Sequence, residues 1–285
     1  VLVKIKVHAI GVNRADVLQL EGKYHAPDGN KIPGLEVSGV RIDTGERVFA
    51  LLSSGGYSKE VEVDERLVYK MPEGVEYIDA AAIPEAMATA WLNLYKLGDI
   101  QNCSNVLIHG GASGICSMMV QFALIEGKRT FTTSNNIKKL KYLENIKNCV
   151  TLTFEQFKDD IDKNHFKMDL IIDILGGKYL EQNLSILGKY GKLILFAVMD
   201  GKISKINIAR ILMKNLSIIG STLRNKVVEE KALLFEEACE NLLPYIVNGA
   251  VRPIISRVYK LSEFEKAHQL LKSGNNIGKI VLIAD

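Results

Sequence analysis

Between residues 106 and 116 the chain reads Val-Leu-Ile-His-Gly-Gly-Ala-Ser-Gly-Ile-Cys, a spacing that can hold a phosphate. Residues 106–109 form a short apolar strand. Gly110, Gly111 and Gly114 turn it into an apolar helical run at 118–124. In a doubly wound fold such a turn binds a dinucleotide pyrophosphate: small residues let the backbone approach, and the helix N-terminus offers N–H groups and a positive dipole end. An ordinary strand-to-helix loop reads the same way, so the motif alone supports both.

The next strand bears on which dinucleotide would bind. An NAD-binding fold carries an acid at the end of its second strand, on the ribose 2′-hydroxyl. Here that strand is 129–133, ending at Thr133, and Ser134, Asn135 and Asn136 follow. No Asp or Glu occurs from 127 to 143, while Lys138 sits just past the strand. A carboxylate would repel a 2′-phosphate, whereas lysine and small hydroxyls would hold it. The spacing favours NADPH over NADH. Lys138 and Lys139 read equally as a solvated helix start, so the missing acid carries more weight.

These motifs need elements to position them. The first third is β-rich: 1–9 alternates, 35–42 and 46–52 are strands joined by a turn at 43–45, and 57–63 alternates again, which predicts a barrel-like β domain. Residues 80–97 are helical, begun or kinked at Pro84. From 105 on, strands (106–109, 129–133, 168–173, 192–198, 216–221) alternate with helices (114–126, 137–146, 179–187), the pattern of a mostly parallel sheet. The tail adds a helix at 228–247, a strand at 251–258, a helix at 262–271 and a strand at 278–284.

At 285 residues there is room for two cores. A net charge of +3 is too small to suggest a nucleic-acid partner, and no apolar run approaches the roughly 20 residues that span a bilayer. The four cysteines are scattered without Cys-x-x-Cys spacing, which suggests neither a zinc knuckle nor a disulfide framework and points to a reducing, cytoplasmic setting. No signal peptide is visible. The chain opens inside a strand-like run, so a true N-terminus is expected upstream.

Together the motifs resemble the zinc-independent quinone oxidoreductases of the medium-chain dehydrogenase/reductase superfamily, and within it the tumour-suppressor-inducible branch. Asn13 to Asp16 matches the family's N-R-A-D, Gly22 to Tyr24 its G-x-Y, and Gly34 to Gly39 its G-x-E-x-S-G. Residues 80–89 match A-A-I-P-E-A and a following threonine. The turn at 106–114, Asp173 with Gly176 and Gly177, Leu223 with Arg224, and 276–282 complete the match. The resemblance implies an α/β protein of two domains: a GroES-like β-barrel catalytic domain (1–91 and 223–285) and a Rossmann domain with a doubly wound parallel sheet (92–222), with NADPH in the cleft. It implies a homodimer through the strand at 216–221, which would otherwise be an exposed apolar edge.

The resemblance also assigns the site. Asn13 and Thr89 would lie beside the nicotinamide and Tyr24 near the substrate, as the catalytic set. Cofactor contacts would come from Asn13, Thr89, Gly110, Ala112, Ser113, Gly114, Ile115, Thr133, Ser134, Lys138, Phe196, Ala197 and Lys279. The rival readings are a helix-capping Asn13 and a Tyr24 packed on the barrel. No metal is expected. Zinc relatives carry G-H-E where this chain has Gly34, Leu35 and Glu36, and they carry a cysteine where it has Asn13. Glu36 is expected to accept hydrogen bonds from backbone or arginine. Arg14 with Asp16 are expected as an ion pair or surface charges, and His109 and His268 as ordinary histidines. The expected activity is hydride transfer from NADPH to a quinone, an acceptor that needs no strong general acid. An NADPH-dependent enone or alkenal reductase is the nearest alternative, and a crystallin-like RNA-binding protein is one of another class.

Three departures stand out. Cys116 replaces the last glycine of the turn, where it reads either as a buried thiol or as a reactive one at a helix start. Leu152 lies where the family has a tyrosine flanking the 2′-phosphate. The hairpin before Val1 and part of the loop between Val40 and Gly45 are short against the family, which we expect to reflect missing residues.

Overall fold

The computed structural model describes every residue except Asn164. The chain divides into two compact units. One comprises Val1–Trp91, Ser113–Met118 and Leu223–Asp285, and the other Leu92–Ala112 and Met119–Thr222. In chain order the elements are β1 (Leu2–Val12), α1 (Arg14–Leu20), β2 (Glu36–Arg41), β3 (Arg47–Leu51), β4 (Glu60–Asp64), β5 (Val68–Lys70), α2 (Tyr77–Ala80) and α3 (Pro84–Ala90). Then come β6 (Asn105–His109), α4 (Cys116–Ile125), β7 (Arg129–Thr133), α5 (Ile137–Glu144), β8 (Cys149–Leu152), α6 (Phe157–Lys163), β9 (Met168–Asp173), α7 (Tyr179–Ile186), β10 (Leu187–Leu195), α8 (Ile208–Lys214) and β11 (Ser217–Gly220). The chain closes with α9 (Val228–Val247), β12 (Ile255–Lys260), α10 (Phe264–Ser273) and β13 (Lys279–Ile283).

The first unit is organised by β1. One of its edges pairs antiparallel with β2; the other is shared, β4 taking Leu2 to Lys6 and β13 taking Ala9 to Val12. The strand order is β12-β13-β1-β2-β3-β5, with β4 set on β1 off that path. Alternate residues of β1, Val3, Ile5 and Val7, bury against Val37, Val48, Ala50, Val61, Ile280 and Leu282 in one core. A bulge between Val7 and Ala9 turns the second half of β1, so Ala9 packs instead on Ala81, Ala82 and Val281. Among the described residues no pairing joins β12 to β5, so the expected barrel is not closed by hydrogen bonds. The strand expected at 57–63 begins only at Glu60, because Tyr57 and Ser58 donate to Pro33 O and Gly56 O in a turn.

The second unit is a six-stranded, all-parallel sheet in the order β11-β10-β9-β6-β7-β8. This is the doubly wound order, with its switch point between β6 and β9. Central strands covered on both faces read as continuous apolar runs: Val106, Leu107 and Ile108 on β6 and Leu170, Ile171 and Ile172 on β9 are wholly buried. Among the described residues β11 pairs only with β10 and leaves its other edge open.

Candidate functional site

The glycine turn follows β6 at the switch point. His109 ends the strand fully buried, Nδ1 2.8 Å from Thr133 Oγ1 and Nε2 2.8 Å from Asn183 Oδ1, and burial lowers its pKa. Gly110 then adopts φ +69°, a left-handed conformation that favours glycine. Its N–H donates to Thr133 O, and that of Gly111 to Thr132 Oγ1. Ala112 is buried and Ile115 half-buried. Ser113 starts the helical turn: its Oγ accepts from Cys116 N–H and its carbonyl from Ser117 N–H. A Cβ on Gly114 would come within 2.5 Å of Lys279 Cδ, so the turn must stay small where the lysine stem passes. The ten-residue α4 begins at Cys116, whose side chain is buried. A helix start behind a tight glycine turn is a fit cradle for a pyrophosphate.

At the end of β7, Thr133 is fully buried and directs its hydroxyl to His109 rather than outward. Ser134 is also buried; its N–H donates to Leu152 O and its Oγ accepts from Asn136 N–H. Asn136 caps α5, taking the N–H groups of Lys138 and Lys139 on its side-chain oxygen. The Lys138 side chain stands exposed at this corner, free of any carboxylate along the strand end. Phe196 and Ala197 follow β10 half-buried, Phe196 N–H donating to Asp173 O. The Asp173 carboxylate, wholly buried, holds the next loop by accepting from Leu175 N, Gly176 N and Asn183 Nδ2. These positions lie at the carboxyl ends of the strands, where open α/β sheets bind ligands.

In the first unit the expected site residues meet in a buried polar cluster. Asn13 opens α1 in extended conformation, but its carboxamide does not cap the helix. Nδ2 donates to Glu36 Oε1 at 2.8 Å and Oδ1 accepts from Lys279 Nζ at 2.7 Å. Lys279 also ion-pairs with Glu36, whose other oxygen accepts the Glu85 N–H at 2.9 Å. Asn13, Glu36 and Lys279 are all at least nine-tenths buried. The Asn13 carboxamide is thus engaged on both sides, by Glu36 and by Lys279, and Lys279 is a buried counter-ion of Glu36. Glu36 accepts a backbone N–H as expected, with a lysine in place of an arginine. Asp16 is fully buried rather than a surface charge: it accepts from Asn13 N and Gly34 N, and burial pushes its pKa up to about 7.

Tyr24 is half-buried, with the Arg224 guanidinium 5.0 Å over its ring, and burial raises its pKa. Arg224 donates to Ser53 O and Gln19 Oε1, and Lys231 Nζ to Ser53 Oγ and Arg224 O. Thr89 is buried on α3, one turn beyond Glu85. Glu85 itself is 8% exposed, and burial together with the Glu36 charge lifts its carboxyl to about 7. Sequence reasoning passes over Glu85, Arg224 and Lys231 as actors. The signal for Glu85 is a lone acid inside the apolar run at 80–90.

The residues do not fit zinc. Leu35 offers no donor atom, and both Glu36 oxygens are engaged by a lysine, an amide and a backbone N–H. Among the described residues no group of three or more His, Cys, Asp or Glu could hold a metal. No helix among them is long and apolar enough to cross a membrane.

Comparison with known proteins gives the class. Residues 145–282 match a family model described as zinc-binding dehydrogenase. The human synaptic vesicle membrane protein VAT-1 homolog-like is 25% identical over 311 residues, covering 98% of this chain and 73% of that protein. Quinone oxidoreductase-like protein 2 homolog of Nematostella vectensis is 26% identical over 297 residues, covering 98% and 81%. Among solved structures, the quinone oxidoreductase of Thermus thermophilus, also solved with NADPH, superposes with a TM-score of 0.86 at 28% identity, covering 99% of this chain and 91% of that one. Over nearly its whole length the chain is thus similar to quinone oxidoreductase-like proteins, and over 145–282 to zinc-binding dehydrogenases.

Proposed function

We propose that this protein is an NADPH-dependent, zinc-free reductase that passes a hydride to a quinone-type acceptor. The observation that carries the reading is the glycine turn at the switch point beside an acid-free β7 end with Lys138 exposed. Similarity along 99% of the chain to a quinone oxidoreductase solved with NADPH supports it. The cofactor supplies the hydride; the protein binds, orients and excludes water. The turn at 110–115 would hold the pyrophosphate and Lys138 with Ser134 the 2′-phosphate. Thr89 and Tyr24 would face the reacting groups. Asn13 would serve as a positioning residue, tying Glu36 to Lys279. We read the first unit as the GroES-like catalytic domain and assign the chain to the tumour-suppressor-inducible branch on its N-R-A-D, G-x-Y and P-E-A motifs. The open β11 edge and a nearby run of exposed apolar residues support a homodimer. The scattered cysteines favour the cytoplasm, and the net charge of +3 gives no reason to invoke nucleic acid.

The test is NADPH oxidation against a panel of ortho- and para-quinones and alkenals. Quinone turnover is expected. Quinone inactivity alongside alkenal turnover would replace this reading with a double-bond reductase.

A further inference from the structure

Glu85 is a group that the proposed reaction does not yet use. It occupies the second position of α3, straight after Pro84, and its backbone N–H is taken by Glu36. Glu85 as a residue is more than nine-tenths buried, and its carboxyl oxygens make no hydrogen bond among the described residues. A mostly buried carboxyl without a protein partner is one that native structures keep where it serves a ligand or a reaction. Its surroundings are specific. Thr89 lies one turn along on the same face of α3, and Tyr24 is close enough that a charge on Glu85 would oppose ionisation of its phenol. Around the carboxyl stand Glu36 from β2, Lys279 from β13, Lys231 from α9 and Asp16 from α1. Burial, with the Glu36 charge beside it, outweighs the two lysines and holds Glu85 protonated up to about pH 7.

We propose that Glu85 is a catalytic acid, the group that hydrogen-bonds the acceptor carbonyl beside Tyr24 and Thr89 and protonates its oxygen. The inference rests on the quinone-reductase reading. The acceptor gains two electrons and a hydrogen nucleus as hydride from the reduced nicotinamide. Its second oxygen becomes an oxyanion. The Glu85 O–H bond breaks, that proton forms the second hydroxyl of the hydroquinone, and the carboxylate left behind recovers a proton from water. A neutral acid beside a developing oxyanion speeds the reaction in the way general acids do, by about 10²-fold or more.

Glu85→Gln tests this with NADPH and a para-quinone. The expected result is a kcat lowered about 10²-fold with KM little changed, together with loss of the wild-type decline in kcat as pH rises through about 7. Glu85→Ala should recover part of its rate when acetate is added. An infrared difference spectrum, wild type minus Glu85→Gln without cofactor, should show a protonated carboxyl below about pH 7 that fades above it. The infrared readout does not depend on turnover. A Glu85→Gln protein that turns over like wild type, or one that keeps the decline above pH 7, overturns the role of Glu85 and leaves the quinone-reductase reading standing. Should the variants misfold, a wild-type kcat that stays flat through pH 7 overturns it as well. A wild type that reduces no quinone overturns the underlying reading, and the role with it.

Discussion

Lys279 and Glu36 form a buried ion pair in the first unit, and Asn13 bridges them. Removing one charge of a buried pair leaves the other uncompensated and costs about 3–5 kcal/mol. Lys279→Met should therefore lower the free energy of urea unfolding by about that much. Glu36→Gln with Lys279→Met should recover a good part of the loss, since neither charge then remains. A Lys279→Met protein as stable as wild type would show the pair to be unimportant. The same residues mark how far sequence carries. Family motifs find Asn13, Tyr24 and Thr89, but not their partners. Asn13 meets Lys279 across 266 positions, and Glu85 meets Glu36 across 49. No local pattern encodes such a pairing. The same holds for Thr133: its place at the strand end is legible, but the His109 ring bonded to its hydroxyl is 24 residues away.

Among the elements, β7, β9 and α9 lie where the sequence puts them, because long apolar or β-branched runs with clear boundaries define them. β8, α6, α8 and β5 escape that reading. β8 is a four-residue edge strand with no residue fully buried, so it lacks the apolar run that marks its neighbours. α8 has no buried residue at all, and Ile208, Leu212 and Met213 are more than two-thirds exposed. Beside it in the chain, Ile218 on β11 is partly exposed on an edge that no described strand pairs. Apolar residues gathered along an open edge favour pairing with a second strand. Ile218→Lys should shift the protein from dimer to monomer in sedimentation equilibrium. A wild type that sediments as a monomer at micromolar concentration would contradict this edge as the interface.

The whole molecule carries an unusual acid–base balance. Asp16 and Glu85 are raised to about 7, chiefly by burial. A carboxyl raised on folding binds its proton more tightly in the native state. Its contribution is therefore complete below the unfolded carboxyl range and is lost as pH rises through about 7. His268, against the Tyr57 hydroxyl, is lowered by burial to about 4 and acts in the opposite sense, costing stability as pH falls from its ordinary value toward 4. Two carboxyls outweigh one imidazole, so the thermal midpoint should rise on going from about pH 8 to pH 5. Glu85→Gln should flatten that slope by removing one of the two. A midpoint that climbs from pH 5 to pH 8 would contradict the burial of these acids. Metal-free reduction of quinones by NADPH can be checked in a single assay. The protein is dialysed against a strong chelator and its initial rate with a para-quinone is measured with NADPH and with NADH. The rate with NADPH should be undiminished and that with NADH at least about tenfold lower, the weight of one charge-assisted phosphate contact. Loss of the rate on chelation, or equal rates with the two nucleotides, would contradict it.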